Sequence, residues 1–312
     1  MNEYNGRPSF IPPDPSTPRV IPIGPPYPPH MGADVLHKYG KLADRLRHTV
    51  EAVAERIQVN PASRVARWLK AVDRLAHADK RSVLEQLVES LGAGKVDHPF
   101  RDAFTALTES RTFIEVIEQL IDFLSDEQLR ELVRGHPDPS LDTSRARNKE
   151  FEWYIAALFR RGGLPVAIAE PDVLINLDGT VRSVAAKRLA SRKQLRSNIK
   201  SATDQIDRAG YPGYIFLDVT RYINPDLHYI EHWRDEGRTV LPRLRAFASN
   251  PHVTNPGSPL VHAAFVRSVF PLISPGFEYG TSERWQGIGI LPDARDENMR
   301  LLHILGSGLR GV

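Results

Sequence analysis

The sequence predicts an α/β fold, with a mixed sheet flanked by helices, that follows a helical domain and an extended arm. Ten of the first 30 residues are proline, apolar side chains then recur at helical spacing to about residue 135, and helix and strand patterns alternate after residue 140. A chain of 312 residues also exceeds the size at which one core usually suffices. We therefore expect an arm at 1–32, a helical domain at 33–138 and an α/β domain at 139–312.

The composition excludes several classes of function. The chain has no cysteine, which excludes a disulfide scaffold, a thiolate nucleophile, a cysteine-ligated zinc and an iron–sulfur cluster. No stretch approaches the roughly 18 to 20 apolar residues that span a bilayer. The first residues also lack the basic and apolar regions of a secretory signal. We expect a cytoplasmic protein that has no membrane partner.

The proline-rich arm is expected to be extended, because each proline lacks a backbone donor and restricts φ. Its apolar side chains could bury against another domain or subunit, or the arm could be a poorly ordered tail. These side chains are Phe10, Ile11, Val20, Ile21 and Ile23. The arm and the helical domain are the candidate surfaces for a homo-oligomer or a partner protein.

The helical domain has identifiable helix boundaries. Asn60 followed by Pro61 predicts a helix start, since proline suits the first helical position. Ser125 and Gln128 match a capping box, and Gly135 predicts the end of that helix. No motif with catalytic chemistry stands out in this domain, and we expect it to be structural or regulatory.

The α/β domain begins with strand and helix patterns in a simple order. Apolar spacing predicts a helix, two strands, a helix and a strand, at about 145–161, 165–177, 181–188, 192–209 and 213–220. Further elements are expected near 238–249, 261–273 and 286–291.

Positive charge is concentrated at the start of this domain. The whole chain has a formal net charge of +3. Residues 31–140 carry 16 basic and 18 acidic side chains, whereas residues 141–200 carry 12 basic and 6 acidic ones. The resulting local excess of +6 favours a polyanionic partner such as nucleic acid.

A tight hairpin is predicted inside the positively charged segment. Asp178-Gly179 lies between two strand patterns and is a strong signal for a two-residue turn. In that turn Leu177 would pair with Thr180, and this pair sets the register of both strands.

The predicted register brings charged side chains to one face of the hairpin. Asp172 would face Ala185 and Glu170 would face Lys187, and alternation places all four side chains on the same side. Two carboxylates on neighbouring strands can hold Mg²⁺ or Mn²⁺, which prefer oxygen ligands. A nearby lysine can orient an attacking water or stabilise negative charge.

These residues resemble the PD-(D/E)XK, or restriction-endonuclease-like, nuclease superfamily. The match comprises Glu170-Pro171-Asp172, the hairpin, and the run Val-Ala-Ala-Lys that ends at Lys187. The resemblance covers about residues 145–220 and implies an Mg²⁺-dependent endonuclease, with DNA as the expected substrate. It also suggests a bacterial defence or toxin context.

The resemblance implies roles for residues on the flanking helices. Glu152, in a Phe-Glu pair of the first helix, would bind the metal together with Asp172, while Lys187 would position the attacking water. Gln205 occupies a place where some of these nucleases carry a glutamine near the site. Four basic side chains would hold the nucleic-acid backbone: Arg188, Arg192, Arg196 and Lys200.

One position departs from the family pattern. The family usually carries an acid two residues before the lysine, and this chain has Ala185 there. Glu152 or Glu170 could replace the missing acid. The alternative is a catalytically inactive nuclease fold that binds nucleic acid or serves in assembly.

Two other interpretations compete with the nuclease site. Glu170 and Lys187 could form an ordinary cross-strand ion pair on a solvated face, with Asp172 a turn residue. Separately, His228, Glu231 and His232 match the H-x-x-E-H zinc-hydrolase signature, which requires both histidines on one helical face. A five-residue pattern is weakly specific, and an amphipathic turn is the preferred explanation.

Overall fold

The computed structural model describes residues 9–12, 35–77, 85–86, 98–137, 145–225, 231–232, 240–273, 279–290 and 295–310. Within these ranges the chain has an α/β fold, in which one open mixed sheet is combined with ten α-helices. The predicted fold class is confirmed at this level.

The helices fall into two groups along the chain. The first group is α1 (Tyr39–Ala54), α2 (Arg64–His77), α3 (His98–Leu120), α4 (Asp126–Val133) and α5 (Ala146–Arg161). The second group is α6 (Leu195–Ala209), α7 (Thr220–Ile223), α8 (Val240–Ala248), α9 (Pro251–Thr254) and α10 (Arg295–Arg310). None of the helices in the described ranges has the length and apolar composition that a membrane span requires.

The sheet contains six strands longer than two residues and two very short ones. The longer strands are β1 (Val35–Lys38), β3 (Val173–Leu177), β4 (Thr180–Arg188), β5 (Gly213–Asp218), β7 (Val261–Ile273) and β8 (Tyr279–Gly289). The short strands are β2 (Val166–Ala167) and β6 (Glu231–His232). The spatial order is β1-β8-β7-β5-β4-β3-β2, and β6 pairs with β7.

Parallel pairing joins the middle strands of this sheet, and the short β6 also runs parallel to β7. β4, β5 and β7 run parallel, whereas β2–β3–β4 and β7–β8–β1 are antiparallel. The parallel strands need a crossover, and α6 provides the one between β4 and β5. This arrangement places the hairpin β3–β4 beside a buried parallel strand.

The predicted hairpin forms with the predicted register. Leu177 pairs with Thr180, and the ladder continues to the pair of Val173 and Val184. Asp178 has φ 52° and Gly179 has φ 82°, the positive values that a two-residue turn matching strand twist requires. The turn therefore fixes which side chains of β4 share a face with Asp172.

Each face of the sheet is covered by its own apolar cluster. Ala185, Ile215 and Leu217 pack with α6 and α8, while Val184, Ala186 and Phe216 pack on the opposite face with α5. The cluster that includes α5 also contains buried side chains of α1, α2, α3 and α4. The helical segment and the sheet thus share one hydrophobic core, and the boundary near residue 138 stays a prediction.

The helical segment also departs from the predicted pattern in two places. β1 lies inside the range predicted as helical and pairs with β8 at the end of the sheet. The helix predicted at Asn60-Pro61 begins later, at Arg64, because the Asn60 side chain accepts a bond from Ala62 N (2.7 Å) within a preceding turn. The capping box of Ser125 and Gln128 is confirmed at the start of α4.

A short piece of the arm contacts the sheet. Ile11 forms an antiparallel bridge with Val166 of β2, with N···O distances of 2.5 and 3.0 Å. Arg160 of α5 donates to the carbonyl oxygen of Pro12 at 2.9 Å. The described part of the arm is therefore extended, as the prolines predict, and continues the sheet beyond its short edge strand.

Candidate active site

Asp172 lies just before β3, next to the carboxyl-terminal end of β4. Its Oδ2 accepts bonds from the backbone N of Ala186 (2.8 Å) and from Lys187 Nζ (3.0 Å). The hairpin register explains this contact, because it places Asp172 opposite the segment that contains Lys187. Sequence reasoning thus predicted the meeting of these two side chains correctly.

Gln205 approaches the same carboxylate from α6. Its Nε2 donates to Pro171 O at 3.0 Å and lies 3.3 Å from Asp172 Oδ1. Its Oε1 is buried and has no hydrogen-bond partner among the described residues. The glutamine therefore both holds Asp172 in place and leaves one buried oxygen acceptor unused beside it.

Glu152 reaches this group from α5. Its side chain is only 10% exposed, and Lys149, one helical turn earlier, donates to its Oε2 at 2.7 Å. Burial first, and then repulsion from Asp172, raise the pKa of Glu152 to about 7, although both lysines oppose the shift. The two carboxylates are therefore close enough to interact.

Burial also affects the pKa of the second carboxylate, Asp172, and the pKa of Lys149. It raises the pKa of Asp172 above its usual range, against the opposing effects of Lys187 and the Ala186 N–H. Burial alone would lower the pKa of Lys149, but the bond to Glu152 and the negative charges of Glu152 and Asp172 together outweigh burial and raise that pKa. The site thus contains two carboxylates and two ammonium groups, so acidic and basic side chains are equal in number.

Glu170 does not join this site, so the predicted pairing with Lys187 is wrong. β3 begins at Val173, and the chain before it leaves the ladder at Pro171, which lacks a backbone donor. The Glu170 side chain is 66% exposed and forms a 3.3 Å ion pair with Arg208. It is in no position to replace the acid that is missing at Ala185.

Arg188 has a structural role that differs from the predicted contact with nucleic acid. It projects from the face of β4 opposite Lys187 and bonds Glu109 of α3 through two N–H groups (2.8 and 3.2 Å). A further ion pair of 3.4 Å joins it to Asp218. Burial opposes its positive charge, but Glu109 and Asp218 outweigh burial and raise the pKa of Arg188. The Arg188 side chain is 12% exposed and is paired with two acids, so its guanidinium is used for contacts within the fold.

The other predicted basic residues lie on the far flank of α6. Arg196 and Lys200 are exposed, but helical geometry puts them about 180° and about 140° around the helix from Gln205. Lys200 also pairs with Asp204 at 2.8 Å, and the Arg192 guanidinium lies 5.8 Å from the Tyr222 ring centroid. The structure does not bring these three side chains to Asp172.

The zinc-hydrolase interpretation requires a helix, and the two described residues of the motif are not helical. Glu231–His232 form β6, whose register places them beside β7. His228 lies outside the described residues. A strand puts consecutive side chains on opposite faces, so this segment does not provide the helical face that the motif needs.

The oxygen atoms near Asp172 can be compared with the ligands that Mg²⁺, the metal implied by the resemblance, requires. Among the described residues, no group of three or more His, Asp or Glu side chains is arranged to hold a metal ion. Mg²⁺, however, usually takes only one or two carboxylates from a protein and keeps several waters. Asp172 and Glu152, with the unused Gln205 Oε1, fit that smaller requirement.

One site residue was missed by sequence reasoning. Lys149 lies one turn before Glu152 on the same helix, and this spacing was a usable signal for an ion pair. It adds an ammonium group beside the two carboxylates.

No protein-family model matches this chain, and comparisons with curated proteins and with solved structures find no match.

Proposed function

We propose that the chain is a metal-dependent nuclease that hydrolyses phosphodiester bonds, with DNA as the expected substrate. The observation that carries this proposal is the approach of Glu152, Asp172 and Lys187 at the end of one strand pair, with Asp172 Oδ2 3.0 Å from Lys187 Nζ. The order α5, β3, β4, α6, β5 agrees with a restriction-endonuclease-like core. A role in bacterial defence or as a toxin is part of the same proposal.

The three side chains have distinct roles in this proposal. Asp172 and Glu152 would hold Mg²⁺ or Mn²⁺, which when bound would polarise the phosphodiester and lower the pKa of a bound water. Lys187 orients that water or stabilises the charge that develops on the phosphate oxygens. Gln205 keeps the Asp172 carboxylate in place through its amide N–H.

The surroundings of the site support chemistry on a polyanion. Lys187 and Lys149 contribute positive charge beside the reacting group, and the Lys149 side chain is 44% exposed. Arg196 and Lys200 on the outer side of α6, and Arg192 just before this helix, remain candidates for contacts with more distant phosphates. The mainly electrostatic character of such contacts predicts binding that weakens as salt increases.

Removal of the lysine tests the catalytic proposal. Lys187→Met keeps the length of the side chain but removes its charge, so we expect cleavage of supercoiled plasmid in Mg²⁺ to slow by about a hundredfold or more. Lys70→Met, which changes an exposed lysine on α2, is the matched control and should cleave at the wild-type rate. Equal rates for all three proteins would refute the assigned role of Lys187.

A second candidate is a nuclease fold that binds nucleic acid without cutting it. The observation in its favour is Ala185, which is fully buried in the apolar cluster against α6 and leaves the site with two carboxylates. This candidate predicts salt-dependent DNA binding by the wild type and no cleavage in Mg²⁺ or Mn²⁺. Gel-shift and plasmid assays on one preparation distinguish the two candidates.

A further inference from the structure

Each carboxylate of the proposed active site already has its own lysine. Asp172 pairs with Lys187, which the family resemblance accounts for, and Glu152 pairs with Lys149, which it does not. The chain therefore has one acid fewer than the family pattern, at Ala185, and one additional ammonium group at the site. The site therefore carries less negative charge than the family pattern implies.

The geometry of Lys149 differs from that of Lys187. Glu152 is 10% exposed and Lys149 is 44% exposed, so the lysine approaches a buried carboxylate from the solvent side. Lys187 is 15% exposed and is held within the strand pair. Lys149 can consequently move from its carboxylate into water, whereas Lys187 is held by its surroundings.

Acids other than Glu152 also act on the charge of Lys149. The negative charges of Asp172 and, more weakly, Glu131 of α4 also favour the charged form of Lys149. An ammonium group that leaves Glu152 therefore stays in a field of negative charge. Solvent exposure also leaves it free to meet an incoming phosphate, for which lysine is a common partner.

We propose that Lys149 is a resident counter-ion that competes with the divalent cation for Glu152. In the resting site Lys149 neutralises Glu152; when the cation binds, Lys149 leaves that carboxylate and becomes available to the nucleic-acid backbone. Cation binding and phosphate binding are then coupled through one side chain. This inference rests on the proposed function, because it assigns Glu152 to the metal.

The competition can be measured by metal binding alone. Isothermal titration of the full-length chain with Mn²⁺, without nucleic acid, should give a dissociation constant about fivefold lower for Lys149→Met than for the wild type. Lys149→Arg keeps the positive charge and should stay within about twofold of the wild type. Lys70→Met, on α2, controls for the loss of one surface charge and should bind Mn²⁺ like the wild type.

The outcomes separate this inference from the proposed function. An unchanged or weaker Mn²⁺ affinity in Lys149→Met overturns it, and so does the absence of Mn²⁺ binding in both proteins. Thermal unfolding identifies a variant that has lost its fold, and Lys149→Gln then replaces the methionine variant with the same expectation. Tighter Mn²⁺ binding in Lys149→Met without DNA cleavage by the wild type would support the competition and refute only the nuclease activity.

Discussion

Asp172 has three hydrogen-bond donors within 3.3 Å, and the contact with Lys187 follows from local sequence. The two-residue turn at Asp178-Gly179 fixes the register, so the approach of Lys187 could be predicted. Glu170 could not be placed the same way, because the ladder stops at Val173 and leaves that side chain in solvent. The alternation of side chains predicts which face of the sheet a residue occupies only where the strand continues through that residue.

The raised pKa of Glu152 should make the stability of the folded chain depend on pH. This pKa rises from the ordinary value of 4.5 to about 7 in the folded chain, so the native state binds more protons than the unfolded chain between these values. The associated stability is fully present below about pH 4.5 and is lost as pH rises through about 7. At pH 8 the charged carboxylate should cost up to about 3 kcal/mol of unfolding free energy.

Glu152→Gln removes this titration and tests it. We expect the variant to gain stability relative to the wild type as pH increases from 5 to 8, because the amide stays neutral. Urea unfolding at several pH values provides the measurement. Parallel pH profiles for the two proteins would show that burial and Asp172 do not act on Glu152 as described.

Strand β4 is the element on which the site depends, because it carries Lys187 on one face and Arg188 on the other. Its antiparallel partner β3 was predictable from the hairpin, and its parallel partner β5 from the strand, helix, strand order. The opposite roles of the two basic residues were not predictable. Glu109, the partner of Arg188, lies 79 residues earlier in the chain, and no local pattern indicates such a contact.

Gly213 sets the close approach of β4 and β5. A Cβ at this position would lie 2.1 Å from the backbone oxygen of Ser183 and 2.3 Å from its Oγ, so Gly213→Ala must push the strands apart. We expect a loss of about 3 kcal/mol in unfolding free energy. Chemical denaturation measures this loss.

Gly289→Ala is the matched control for this substitution. Gly289 is the last residue of β8, as Gly213 is the first of β5, but a Cβ at Gly289 would have Asn298 Nδ2 as its nearest neighbour, at 3.6 Å, an ordinary contact. The unfolding free energy should change by less than about 0.5 kcal/mol. Similar losses at the two positions would contradict the close packing of β4 against β5.

The whole molecule is joined by buried ion pairs as well as by its shared apolar core. Arg267 of β7 bonds Asp218 (3.0 Å) and Glu283 (2.7 Å), and its guanidinium lies 4.3 Å from the ring centroid of Tyr154 on α5. Arg111 of α3 bonds the same Glu283 at 2.7 Å. Composition predicted a helical segment distinct from the sheet, but it could not predict that charged side chains of α3 would be buried against the sheet.

Glu109 links α3 to both the sheet and α5, since it bonds Arg188 and Arg147 at 2.8 Å each. These two arginines outweigh the effect of burial and lower the pKa of Glu109 below its usual range. Glu109→Gln leaves two buried guanidinium groups without a full counter-charge, and it should cost about 3–5 kcal/mol of unfolding free energy.

Glu118→Gln on the same helix is the control for that loss. Glu118 pairs with Arg45 at 2.6 Å but is 32% exposed, so its removal should cost at most about 1 kcal/mol. Urea denaturation of both variants at pH 7 compares the two positions. A loss at Glu109 no larger than that at Glu118 would indicate that the buried network does not hold the helices to the sheet.

The cleavage of supercoiled plasmid by wild type and Asp172→Asn tests the central claim most directly. Asparagine preserves the shape of the side chain but removes the charge that a divalent cation and Lys187 both require. The account predicts nicked or linear plasmid with the wild type in Mg²⁺, none after chelation with EDTA, and none with Asp172→Asn. Equal conversion by the two proteins, or conversion that persists in EDTA, would contradict it.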